Sequence, residues 1–230
     1  MQRKRRVAAV VIIALAAVWW YVYQLPSQQS PTSTVSHSTN ASSGTVASVA
    51  LDTLLVKGRA PKTNYTRAQF GDGWTTTNGC DTRNIILNRD MREVTIDESC
   101  HVTKGTLDDP YTGHVIAFAR GGDTSDAVQI DHVVALSNAW QTGAQLLAKD
   151  KRIALANDPL ELLAVDGPAN QAKGDGDAAT WLPPHVAFRC QYVARQIAVK
   201  VKYSLWVTSA EKQAMQRILA GCPEQRLPTK

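Results

Sequence analysis

The sequence predicts an α+β protein. Strand-like runs are few and short, amphipathic helical runs are several, and no strand–helix–strand alternation recurs. The first element, Ala47–Val56, carries its apolar residues at helical spacing and closes at Lys57-Gly58. Asn78-Gly79 marks a turn, and Arg83–Asp90, apolar at 85, 86 and 87, predicts a helix. His114–Phe118 and Ala127–Ile130 read as strands separated by the turn Arg120-Gly121-Gly122-Asp123. A helix is expected from about Ala139, capped by Ser137 or Asn138, and another over Gln145–Ala156. Leu162–Val165 is a short apolar strand. Asp166-Gly167-Pro168 then turns into a helix, with Pro168 at its first position. His185–Tyr203 sets Val186, Cys190, Val193, Ile197 and Val201 on one helical stripe. Ser209–Leu219, started by Thr208 or Ser209, is the last helix.

A chain of 230 residues with 44% hydrophobic composition suits one domain of ordinary size. Residues 1–6 form a basic end containing Arg3, Lys4, Arg5 and Arg6. Residues 7–25 are apolar with Gln24 the one strongly polar member, long enough for a membrane span. Trp19, Trp20, Tyr21 and Tyr23 crowd its far end, and the cations mark the near end as cytoplasmic. Two readings stay open, an uncleaved anchor and a cleaved signal segment; no small-x-small site follows the run. Either one places the rest of the chain outside the cytoplasm. Residues 26–50, rich in Ser and Thr, read as a flexible linker, and 51–225 as the functional domain.

Charge does not identify a ligand. The net charge is +5, but four of the 25 basic residues precede residue 7, and the remainder nearly balance the 20 acidic ones. Positive charge concentrates after residue 188, where Arg189, Arg195, Lys200 and Lys202 fall mostly off the apolar stripe. Arg189 and Arg195 are therefore candidates for a nucleic-acid contact. Four cysteines in an exported chain predict two disulfides. Of three possible pairings, Cys80–Cys100 and Cys190–Cys222 are favoured because each staples a local unit. No Cys-x-x-Cys pair is present, which argues against structural zinc.

The chemistry concentrates in Gln129-Ile130-Asp131-His132 and, downstream, Asn170-Gln171-Ala172-Lys173-Gly174-Asp175. Within a strand Asp131 and His132 point to opposite faces, so only a strand end brings both to one site. There the carboxylate can hold a divalent cation while the imidazole takes a proton. Asn170 supplies a hard amide oxygen suited to Mg²⁺, and Lys173, three residues on, can meet a phosphate.

These residues resemble the HNH (His-Me finger) nuclease motif, and most closely the GmrSD-type branch, which includes secreted bacterial members. Further matches are Asp-Pro-Tyr-Thr-Gly at 109–113, Ala139-Trp140 with Gly143-Ala144, Trp181-Leu182-Pro183-Pro184, and Gly79-Cys80-Asp81-Thr82-Arg83-Asn84. The resemblance runs from about Leu51 to Cys222. It implies a small ββα-metal core embedded in additional helices, and a metal-assisted phosphodiesterase. His132 would be the general base that activates water. Asp131 and Asn170 would hold one divalent ion, expected to be Mg²⁺, and the substrate would be nucleic acid, DNA before RNA. Lys173, Arg83, Arg189 and Arg195 are the expected phosphate contacts. No protein partner is readable.

Two departures from the family pattern follow. Asp166 and Ala169 stand where many members place zinc-binding cysteines, so the disulfides must supply rigidity. Glu161, counted in the catalytic set, stands where the family has an asparagine that orients the histidine loop. A carboxylate there is expected to raise the His132 pKa and strengthen metal binding, with Asn157 a substitute for the orienting role. Glu161 also keeps open the alternative of a catalytically impaired, envelope-anchored module that binds nucleic acid or protein.

Overall fold

The computed structural model describes residues 45–121 and 125–229. Residues 1–6, the apolar run 7–25 and most of the linker lie outside the described residues. Among those described, no helix is long and apolar enough to cross a membrane.

The first helix, α1 (Ala47–Thr53), buries Ala47, Ala50 and Leu51 and ends sooner than expected. A two-stranded hairpin, β1 (Thr76–Thr77) and β2 (Cys80–Asp81), follows across Asn78-Gly79. Both turn residues have positive φ, 51° and 82°, as a tight hairpin turn requires. Helix α2 (Thr82–Asp90) starts on an Asp81 carboxylate that accepts from Asn84 N. A three-stranded antiparallel sheet comes next: β3 (Met91–Ile96), β4 (Val102–Asp108) and β5 (Val115–Ala119). β3 and β4 were not expected. β3 is largely exposed and its register shifts within the strand, so no period-two apolar signal marks it.

The central unit is a second antiparallel pair, β6 (Val128–His132) and β7 (Leu162–Asp166), then helix α5 (Gly167–Lys173). Between the strands lie α3 (Leu136–Gln141) and α4 (Lys149–Ala156). α3 begins earlier than expected, and its first turn has no side-chain cap. Ser137 and Asn138 lie inside it and bond elsewhere, to Asp175 and Lys200. Asp166 caps α5 by accepting from Ala169 N, with Pro168 in the first turn. Gly167 is required by close approach: a Cβ there would lie 2.1 Å from Asp126 O, just before β6.

The chain ends in α6 (Arg189–Lys202) and α7 (Ser209–Leu219), the latter opened by a Thr208/Glu211 capping box. Alternation along β7 divides the core. Leu162 and Ala164 join Ile86, Leu107, Phe118 and Ile130 in a smaller cluster. Leu163 and Val165 join the main cluster with Tyr111, Tyr192, Ile197 and Met215. The β6–β7 pair is therefore held from both faces, which fixes the register on which the site depends. Disulfides Cys80–Cys100 and Cys190–Cys222 form as expected, the first closing the β1–β4 region and the second joining α6 to the segment after α7.

Candidate active site

Asp131 and His132 end β6 and project to opposite faces. In the ladder Asp131 stands opposite Leu163 of the main core, and His132 opposite Leu162 of the smaller one. Both nevertheless line one cavity of about 420 Å³, with Tyr65, Arg67, Trp74, Arg83, Gln129, Asn170 and Asp175. Asp131 and Gln129 share the strand face on which α5 packs, and that face receives Asn170 and Lys173.

His132 is only 6% exposed. Its Nε2 lies 2.9 Å from Ala156 O at the end of α4. A carbonyl can only accept, so Nε2 carries the proton and Nδ1 keeps the lone pair. The ring is stacked on Trp74, with centroids 5.7 Å apart and planes 7° from parallel. Burial lowers its pKa to about 3, with the cations Arg67 and Lys173 acting in the same direction. The imidazole is therefore neutral across the physiological range.

Asp131 is buried between two donors. Lys173 Nζ lies 2.8 Å from Oδ1, and the Tyr111 hydroxyl donates to Oδ2. Burial holds the carboxyl above its ordinary pKa, and Lys173 offsets part of that. Lys173 also donates to His132 O at 2.7 Å, and its side chain is fully buried. The expected phosphate contact is thus an internal cation that locks the end of β6. Asn170 Nδ2 donates to Gln129 Oε1 at 2.9 Å, which leaves its amide oxygen as the uncommitted end. Among the described residues no three His, Cys, Asp or Glu side chains form a group able to hold a metal.

Glu161 reaches the histidine loop. Its Oε2 accepts from Val134 N at 3.2 Å and its main-chain oxygen accepts from Val133 N at 2.9 Å. Burial acts against the expected charge effect. Glu161 is fully buried, and burial pushes its carboxyl well above the ordinary range, which favours its neutral form. In that form a carboxylic acid can accept from Val134 N as an amide oxygen would, while Glu161 Oε1 has no hydrogen-bond partner among the described residues. Asn157 does not substitute for it: its oxygen accepts from Thr75 N and its amide donates to Ile153 O, which secures the loop beside Trp74. Glu161→Gln should therefore keep cleavage within a few-fold and stability within about 1 kcal/mol of wild type. Glu161→Ala should lose about 1–3 kcal/mol by leaving Val134 N unpaired. Paired urea melts and cleavage rates check this, and a Gln variant as damaged as the Ala variant would refute it.

The remaining candidates divide. Arg83 lines the cavity, with Nη2 3.3 Å from Val128 O. Arg189 and Arg195 do not line it. Arg189 donates to Pro183 O and Arg195 to Leu160 O, while Lys200 is buried against Glu211 and Lys202 pairs with Asp158. The basic stripe of α6 is thus spent on internal partners, and Arg195 borders a separate cavity with Arg89, Asp90 and Phe188. Sequence reading missed Tyr111 and Gln129 as partners of Asp131 and Asn170. It also missed Arg67 and Trp74 as cavity wall. Tyr111 was within reach, since it lies in the Asp-Pro-Tyr-Thr-Gly match. There Asp109 also accepts from Asp166 N, tying the β4–β5 loop to α5.

An Asp-His at the end of β6, with β7 paired beside it and then a helix bearing Asn and Lys, agrees with the HNH endonuclease class. Residues 81–218 match the family described as GmrSD restriction endonucleases, C-terminal domain, and the chain belongs to that family. It is also similar to an "Uncharacterized secreted protein" of Arthroderma benhamiae, at 40% identity over 185 residues, covering 80% of this chain and 88% of that one.

Proposed function

We propose that the protein is an extracytoplasmic, metal-dependent endonuclease that hydrolyses phosphodiester bonds, of DNA before RNA. The carrying observation is the His132 ring, fixed through Nε2 on Ala156 O and left with a free Nδ1 in a cavity shared with Asp131 and Asn170. Nδ1, unprotonated near neutrality, is the group that would take a proton from a water directed at phosphorus. Asp131 and Asn170 are the residues that would hold a divalent ion, Mg²⁺ by the hardness of their oxygens. Asp131 oxygens each keep a lone pair beyond the bonds they accept, and the Asn170 oxygen is uncommitted, which supports an ion held mainly by water and phosphate. Such an ion would stabilise charge on the phosphate and the leaving oxygen. Lys173 and Glu161 hold the strand end and the loop that aim the histidine.

Export is supported by the secreted relative and by the two disulfides. Glu161, which kept open the reading of a non-catalytic binding module, makes the loop bond an orienting residue needs, which supports the catalytic reading. Supercoiled plasmid with the full chain should be nicked in Mg²⁺ and left intact in EDTA. Intact plasmid under both conditions, with RNA also uncut, would overturn the proposal.

A further inference from the structure

The segment from Lys62 to Trp74 precedes the residues matched by the family, yet it forms one wall of the cavity. Tyr65, Arg67 and Trp74 line the cavity that holds Asp131, His132 and Asn170. Arg67 and Trp74 also line an adjoining space of about 130 Å³, again with His132. The segment is anchored on both sides of Arg67. Trp140 Nε1 donates to Thr63 O, Arg152 donates to both oxygens of Gln69, and Phe70 is buried.

Arg67 differs from its neighbours in how its charge is used. Around the same cavity Lys173 is spent on Asp131, Arg83 donates to Val128 O, and Asp175 is paired with Lys62. Beyond it Arg59 pairs with Asp177, Arg89 with Asp90 and Arg92 with Asp108. Arg67 is exposed and makes no hydrogen bond or ion pair among the described residues. Among the described residues no carboxylate forms an ion pair with it, although the backbone that carries it is fixed. A guanidinium presents a planar fork of donors that matches phosphate oxygens, and here it borders two spaces that meet at the histidine.

We propose that Arg67 binds a phosphate of the nucleic-acid strand lying against His132, so that the segment preceding the family-matched residues anchors the substrate. This rests on the nuclease reading above. One neutralised phosphate releases condensed counterions, so the contact has a salt signature that a structural role lacks.

The test uses the full chain as wild type, Arg67→Ala, Arg67→Lys, and Arg217→Ala as an exposed control on α7. Binding of a fluorescent DNA oligonucleotide is followed by anisotropy in EDTA from 50 to 200 mM salt, the range over which phosphate contacts separate. Cleavage is followed in Mg²⁺. Arg67→Ala should weaken binding about tenfold and raise KM with kcat within a few-fold. It should also lower the slope of log affinity against log salt by about 0.7–0.9. Arg67→Lys should recover part of each, and Arg217→Ala should match wild type. Unchanged KM and salt slope in Arg67→Ala, with wild type binding and cutting normally, would overturn this assignment and leave the nuclease reading standing. A wild type that neither binds nor cuts would overturn the nuclease reading and this assignment with it.

Discussion

His132→Ala should lower metal-dependent cleavage by about 10²–10⁴-fold, the range a positioned general base contributes. The ring has one nitrogen committed to Ala156 O and the other free, and in the proposed mechanism that free nitrogen is the proton acceptor, with the metal held by other residues. Supplied metal should therefore not restore the rate, and imidazole added to the buffer should restore part of it. The fold should survive at a cost of about 1–3 kcal/mol, from the lost hydrogen bond and the stack on Trp74. The pH dependence separates this role further. The folded pKa is about 3 against about 6.5 in the unfolded chain, so the unfolded state gains the proton first as pH falls. Wild type then loses stability from about pH 6.5 downward, by at most about 1.4 kcal/mol per unit, and the alanine variant does not. The stability gap between them should narrow on acidification. Cleavage within a few-fold of wild type, or a gap that widens below pH 6, would exclude the assignment.

The helices were legible in the sequence because their apolar periodicity and end signals agree. Thr208 and Glu211 close a capping box, Pro168 opens α5, and the α6 stripe is buried as its spacing requires. The exposed strand β3 was not legible, since its stability comes from pairing with β4 and from the Cys80–Cys100 staple. The same limit applies to the site. Asp131, His132, Asn170 and Glu161 could be placed by motif spacing. Whether a cation faces solvent or a carboxylate depends on tertiary contact, and Lys173, Arg195 and Lys200 all turn inward. Arg67 carries no motif and becomes visible only when its wall is set against the cavity.

Lys173→Met should destabilise the protein by about 3–5 kcal/mol near neutral pH. The methionine fills most of the stem volume, so the loss measures charge and not a cavity. What it leaves is the Asp131 carboxylate, 5% exposed, with the Tyr111 hydroxyl as its remaining strong donor. Breaking one side of a buried pair costs that much because the survivor stays desolvated. The carboxyl has one escape, protonation. In the variant its folded pKa rises further above the unfolded value of about 3.9. Well below pH 4, Asp131 is protonated in both states and the penalty is small. As pH rises above about 4 the unfolded carboxyl ionises first, and the penalty grows until the folded pKa is passed. Urea melts at pH 4.5 and pH 8 should therefore show a much larger deficit at pH 8. Asp131→Asn placed in the Met background should recover part of that deficit, since a neutral amide needs no counter-charge. A deficit below about 1 kcal/mol at pH 8, or one independent of pH, would mean that Lys173 and Asp131 are not a buried ion pair and that the end of β6 is held by other contacts.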